Sequence, residues 1–285
     1  LEHGVTVAFF DADITEKIKA ENKNFIEYFG SRETSLYKRI EECVMFDTSN
    51  EAIKAYSTAS GINIESGLGK FWDRMLEYRL ITVKGKNIEV SDEYYLCFGK
   101  NPISVCDGAE YRLEIRYSRN NIRNNTGVDY EFTDSYRGPI ILCYPEVEKW
   151  IKEYVLGVQI RGASKTYHGP IIDPEVLKEA VINSLVHRKY DKTGDFSYFV
   201  IEDHAITIKN PAVIDSEEFR LLSEFSRESS PKNPRIARIF LDMGLMERHH
   251  FGMRTFAAIL PKPIYSYSGG FLSLTFPLGN GNNLE

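Results

Sequence analysis

The sequence predicts an α+β fold, on three observations. Helical spacing dominates from Ser31 to Phe98 and closes on a short hairpin pattern. Strand patterns begin at Tyr111, and from there helices and strands follow one another in mixed order. That order suits helices packed on a sheet. The chain has 285 residues, 42% hydrophobic and 27% charged, which is ordinary globular composition with length for two or three domains.

Taken in order, residues 1–31 join an alternating start, VTVAFF, to NFIEYFG, and read as two short strands that bury little alone. Residues 32–98 hold three helical patterns, TSLYKRIEECV, NEAIKAYSTAS and GLGKFWDRMLEYRLI, then TVKGKNIEV, whose Lys-Gly suits a tight turn. Helices followed by a small hairpin outline a winged-helix-like module. Phe71, Trp72, Met75, Leu76 and Leu80 make an apolar stripe, read as core or as a helix–helix interface. Residues 99–277 form the larger domain, opening with strands YRLEIRY and GPIILCY. The helix PEVEKWIKEYV has Pro145 at its start. After the loop GASKTYHGP come a helix from Asp173, hairpin strands FSYFVIE and AITIK, the helix NPRIARIFLDMG and the strand GGFLSLTFP. Residues 278–285 are a tail whose closing Leu284-Glu285 resembles a cloning scar. With no opening methionine, the chain is expected to be a piece of a longer protein, residues 1–31 being the tail of a truncated N-terminal domain.

Composition narrows the function. The net charge of −6 does not attract nucleic acid, so DNA contact would need a local basic patch. Arg112, Arg116, Arg119 and Arg123 are the candidates, read first as a solvated strand edge and second as phosphate contacts. No apolar run spans a bilayer and no signal peptide opens the chain, so a cytoplasmic protein with no membrane partner is expected. Cys43, Cys97, Cys106 and Cys143 form no CxxC pair, which argues against structural zinc and a dense disulfide framework; reduced, buried thiols are expected. His249 and His250 lack a carboxylate or Cys at ligand spacing and read as surface residues. The apolar surface around Trp72 and Trp150 leads to the expectation of a homodimer.

The helix beginning at Asp173 carries the chemistry. Asp173 suits the N-cap and Pro174 the first helical position. At about 100° per residue, Val176, Leu177, Ala180, Val181, Ser184 and Leu185 fall on one apolar arc, with Glu175, Lys178 and Lys189 opposite. Glu179, Asn183 and His187 line up on the border between the two. Such a row is either a solvated edge or one side of a cleft. A carboxylate and a carboxamide one turn apart can orient a water and ligate a hard cation such as Mg²⁺, a pairing suited to a nucleoside triphosphate.

EAVINSLVHRKY resembles the helix of the GHKL ATPase superfamily (gyrase, MutL-type repair proteins, heat-shock chaperones, histidine kinases), in which Glu-x-x-x-Asn supplies a general base and a magnesium ligand. It is more closely similar to the C-terminal domain of RecG-related ATP-dependent DNA helicases and transcriptional regulators, which usually follows a Schlafen-type, divergent AAA, DNA-binding domain. Four stretches carry the resemblance: LCFGKNP at Leu96 to Pro102, the helix from Glu179 to Tyr190, IKNPAV at Ile208 to Val213, and KNPRIARIFLDMGLMERHHFGM at Lys232 to Met253. They extend over roughly residues 75–277. The resemblance implies a GHKL-like helix-on-sheet domain with ATP and Mg²⁺ as cofactors. It makes Glu179 the catalytic base, Asn183 the metal ligand, and His187, Asn210 and Gly252 further cofactor contacts. DNA would be the partner of the full-length protein.

The sequence departs from the family pattern at both glycine boxes. NPGG is here Asn210-Pro211-Ala212-Val213, and the later GTG is His250-Phe251-Gly252. Glycine permits positive φ and close backbone approach, which Ala212 and Val213 permit poorly, and bulky His250 and Phe251 are expected to obstruct a triphosphate, unless a protonated His250 instead adds positive charge. ATP turnover is left open, and the absence of a Walker loop removes the usual motor chemistry. Two readings stand: a degenerate ATP/Mg domain modulating DNA binding by a transcriptional regulator, and a nucleotide-free dimerisation or interaction module.

Overall fold

The computed structural model describes residues 25–117, 130–156, 172–191, 194–202, 205–226, 230–246 and 251–278. The helical module comprises α1 (Phe25–Val44), α2 (Asn50–Ser60), α3 (Gly69–Glu77), the hairpin β1 (Ile81–Lys84) and β2 (Asn87–Val90), and α4 (Asp92–Phe98). Local chemistry sets these limits. The Ser49 side chain accepts from the Ala52 amide at the start of α2, and Gly61, at φ 71°, ends it in a left-handed cap. Gly85, at φ 61°, supplies the turn of the hairpin, and Arg39 on α1 donates to the Lys86 carbonyl at 2.7 Å. Inside, Phe71 meets Tyr56 and Phe98 edge-on, with ring centroids 5.9 and 5.2 Å apart.

Two expectations fail here. NFIEYFG is not a strand, because Phe25 to Gly30 belong to α1, continuous with the Leu36, Ile40 and Val44 spacing that anchors that helix. The boundary expected at residue 32 therefore falls inside a helix, while VTVAFF lies outside the described residues. Trp72 and Trp150, around which the apolar surface of a dimer is expected, are 0% and 6% exposed within the chain. Cys43 is exposed, although Cys97, Cys106 and Cys143 are buried, and all four are free.

The larger domain is a six-stranded mixed sheet in the order β4-β3-β5-β6-β8-β7. Its strands are β3 (Tyr111–Tyr117), β4 (Tyr130–Tyr136), β5 (Ser197–Glu202), β6 (Ala205–Pro211), β7 (Ile264–Ser268) and β8 (Phe271–Pro277). β3 runs parallel to β5, and every other pair is antiparallel. Period-two alternation gives the sheet one apolar face: Leu113 pairs with Phe199, Phe199 with Ile208 and Ile208 with Leu274, all buried. The other face is amphipathic, with Arg112 3.5 Å from the Phe196 ring centroid, Lys209 4.2 Å from that of Phe271, and Thr207 bonded to Thr275.

GPIILCY is not a strand either. Ile140–Leu142 make one tight helical turn leading into α5 (Cys143–Trp150), which continues as a wider π-type turn over Ile151–Leu156. Ile140, Ile141, Cys143 and Val147 are all buried, which one face of a strand could not arrange. β3 pairs instead with β4, whose Thr133, Asp134 and Ser135 are exposed, so its polar sequence disguises an edge strand. On the apolar face lie α6 (Pro174–His187), α7 (Ser216–Ser223), α8 (Pro234–Asp242) and α9 (Phe251–Ala258). α6 is buried more widely than its predicted arc, since Ile182 and Val186 are also 0% exposed. It ends at His187, so Lys189 is outside it. Helices on one face of a mixed sheet make the molecule α+β. Among the described residues, no helix is long and apolar enough to cross a membrane.

Candidate functional site

A cavity of about 540 Å³ opens between α6, α7, α8, α9 and the strands β6, β7 and β8. Glu179, Asn183 and His187 all line it, as does Asn210 from the end of β6. The cause is the border position of the row: α6 buries its apolar arc against the sheet and neighbouring helices, and the adjoining edge turns to the cavity between them. Asn183 Nδ2 donates to Glu179 Oε1 at 3.0 Å, so carboxamide and carboxylate act as one polar unit. The Asp173 side chain accepts from the Glu175 amide at 2.9 Å and caps the helix at the cavity mouth.

The electrostatics differ along the row. Burial lowers the pKa of His187 from 6.5 to about 4; Lys232 adds to the effect and Glu218 opposes it. The imidazole is neutral at physiological pH. Lys232 and Glu218 themselves pair at 2.9 Å. At the other end, burial raises the pKa of the Tyr265 phenol, and the charge of Glu179 raises it further. Asn210 is 5% exposed and donates to the Pro211 carbonyl at 3.3 Å. Ile208, Leu222, Leu241, Leu245 and Leu274 supply apolar wall.

Of the expected obstructions, Ala212 and Val213 can be placed, whereas His250 and the Phe251 side chain lie outside the described residues. Ala212 lines the cavity, but Val213 is 64% exposed and lies outside the lining. Neither has positive φ, because the chain leaves β6 in ordinary geometry with the Ala212 amide bonded to the Gly270 carbonyl at 2.9 Å. Gly252 falls in the first turn of α9. Thr255 and Phe256 of the same helix line the cavity. His249 and His250 lie outside the described residues.

The basic cluster is partly neutralised. Arg112 and Arg137 bind the two oxygens of buried Glu110 at 2.7 and 3.0 Å, and Arg116 contacts Glu114 and, at 3.9 Å, Glu202. Arg119 and Arg123 fall outside the described residues. Arg188, in the HRKY stretch, is buried and donates to the Gly108 and Asp195 carbonyls, which makes it structural. Sequence reasoning missed Tyr265, the Lys232–Glu218 pair and the whole α8 wall. The signal available for α8 was the Asn-Pro helix start, since Asn233 donates to the Val186 and Arg188 carbonyls at 2.9 and 2.8 Å and so ties α8 to the end of α6.

No family model and no curated protein matches the chain. Among solved structures, the crystal structure of the DIP2311 protein from Corynebacterium diphtheriae is similar, with a TM-score of 0.52 at 14% identity. The match covers 82% of this chain and 44% of that one, so the chain spans less than half of that protein's length. At this identity the likeness shows the fold alone.

Proposed function

We propose that the chain is the ligand-responsive part of a transcriptional regulator of the RecG-related kind, binding a magnesium–nucleotide complex in the α6 cavity. The observation that carries this reading is the bonded Glu179–Asn183 pair facing a cavity of about 540 Å³. That volume lies within the roughly 300–1,000 Å³ of small-molecule sites. Three helices followed by a hairpin support a winged-helix-like first module, and helices on one face of a mixed sheet support a GHKL-like second one.

The donor set fits magnesium delivered with its ligand. Asp173, Glu175, Glu179 and Glu218 outnumber Lys178 and Lys232 in the lining, so a bare triphosphate would meet net negative charge. Among the described residues no group of three or more His, Cys, Asp or Glu could hold a metal by itself. Mg²⁺ characteristically takes one or two protein oxygens and completes its shell with phosphates and water. Asn183, with Glu179 beside it, would hold it here, and the ion would supply neutralisation of phosphate charge. Glu179 would orient a water, Asn210 would offer its amide to the ligand, and neutral His187 would add no charge. The reading assigns binding; turnover is a separate property, and DNA contact belongs to the full-length protein.

Calorimetric titration with Mg·ATP tests it. Wild type should bind weakly, Asn183→Ala should not bind, and Ala212→Gly should bind at least as well as wild type because a wall methyl is removed. If all three stay folded and none binds, the nucleotide reading is wrong and the interaction-module reading replaces it.

A further inference from the structure

α8 has the cavity on one flank and the helical module on the other. At about 100° per residue, Arg235, Arg238 and Asp242 share one side, and Ala237 and Leu241 are centred roughly a third of a turn away. Each residue of the first side holds the helical module. Arg235 pairs with Glu93 of α4 at 3.2 Å, and the Arg238 guanidinium lies 5.6 Å from the Tyr78 ring centroid. Asp242 accepts from Tyr56 of α2 at 2.5 Å, from Tyr78 at 2.9 Å and from Arg74 of α3 at 3.2 Å. Ala237 and Leu241 line the cavity, joined by Gly244, Leu245 and Met246 just after the helix.

The two ends of α8 are held differently. Asn233 fastens the first turn to the end of α6, which carries the Glu179–Asn183 pair. Beyond Asp242 the chain reverses at Gly244, φ 66°, a position that permits a change of direction. The helix is thus tied at its start to α6 through Asn233 and to α4 through Arg235, and clasped at its far end to α2 and α3 through Asp242.

We propose that α8 is a lever: a ligand that fits the cavity in its present shape tightens the Asp242 clasp on α2 and α3, and loosening the clasp weakens the ligand. The two effects are reciprocal, because coupling between sites works equally in both directions. α8 is the packed element that both sites bias. The clasp gathers three donors on a carboxylate whose side chain is only 19% exposed, so breaking it costs that carboxylate its hydrogen bonds. The identity of the ligand rests on the nucleotide reading; the lever does not.

The test has two arms. The first needs no ligand and is a double-mutant cycle of Tyr56→Phe, at the clasp, with Leu222→Ala, in the α7 wall of the cavity, read by urea unfolding. Sites linked through α8 should depart from additivity by at least about threefold in the unfolding constant. Additivity within about twofold overturns the lever. The second arm titrates Mg·ATP into wild type, Asp242→Asn and Glu77→Gln, which removes the other carboxylate beside Arg74. Binding should weaken at least about fivefold for Asp242→Asn and stay unchanged for Glu77→Gln. Equal affinities overturn the lever. Tyr78→Phe replaces Asp242→Asn with the same expectation if the latter does not fold. A non-additive cycle with no Mg·ATP binding by any protein refutes the nucleotide and leaves the lever standing.

Discussion

Acid should destabilise this protein partly through His187, and His187→Gln should isolate that contribution. The folded pKa is lowered to about 4 from 6.5, first by burial and then by Lys232. Between those two values the unfolded chain holds a proton that the folded chain does not, so stability rises with pH across the window. The loss therefore begins as pH falls below 6.5 and is complete near 4. At 1.36 kcal/mol per pH unit the window amounts to roughly 3 kcal/mol, an upper value because water at the cavity rim screens part of it. The assay is urea unfolding of wild type and His187→Gln at pH values from about 7 to about 4. Other titrating groups are common to both proteins and cancel in the difference. The gap between the two proteins should shift by up to about 3 kcal/mol in favour of the variant as pH falls. Parallel curves, with a shift under about 0.5 kcal/mol, would refute the reasoning. Lys232→Met, which removes the second cause, should narrow the window.

The thiols divide sharply: a maleimide should label Cys43 in the native protein and Cys97, Cys106 and Cys143 only after unfolding, since burial raises the pKa of all three of the latter. Mass spectrometry counting more than one fast label would contradict this. DNA binding by this chain alone should be weak and lost on adding salt, because Arg112 and Arg116 already face Glu110, Glu114 and Glu202. Tight binding at physiological salt in an electrophoretic mobility assay would contradict it.

What was legible in the sequence is what short-range chemistry dictates. Ser49 and Gly61 bracket α2 at the limits that NEAIKAYSTAS predicts, and Asp173 with Pro174 opens α6 where expected. Glu179, Asn183 and His187 could be placed on a helix border from spacing alone, and that border faces the cavity. Contacts made across the chain were not legible. Tyr56 and Asp242 are far apart in sequence, and no local pattern marks their hydrogen bond. Tyr265 joins Glu179 only because β7 lies at the edge of the sheet beyond β8. β4 escaped because an edge strand needs little apolar sequence, and GPIILCY misled because a buried helical turn is as apolar as a strand.

The sheet consists of three hairpins, β3–β4, β5–β6 and β7–β8, laid side by side along two seams. A hairpin closes locally and fast, whereas each seam joins segments separated by intervening helices and must first overcome the entropy of closing a long loop. Among the described residues, the cavity takes wall from the second hairpin through Ile208 and Asn210, from the third through Tyr265, Leu272 and Leu274, and none from the first. Of the two seams, these described walls need the β6–β8 one. During synthesis they cannot meet until Phe271–Pro277 has emerged and docked, so the cavity belongs to a chain whose third hairpin has already joined the second.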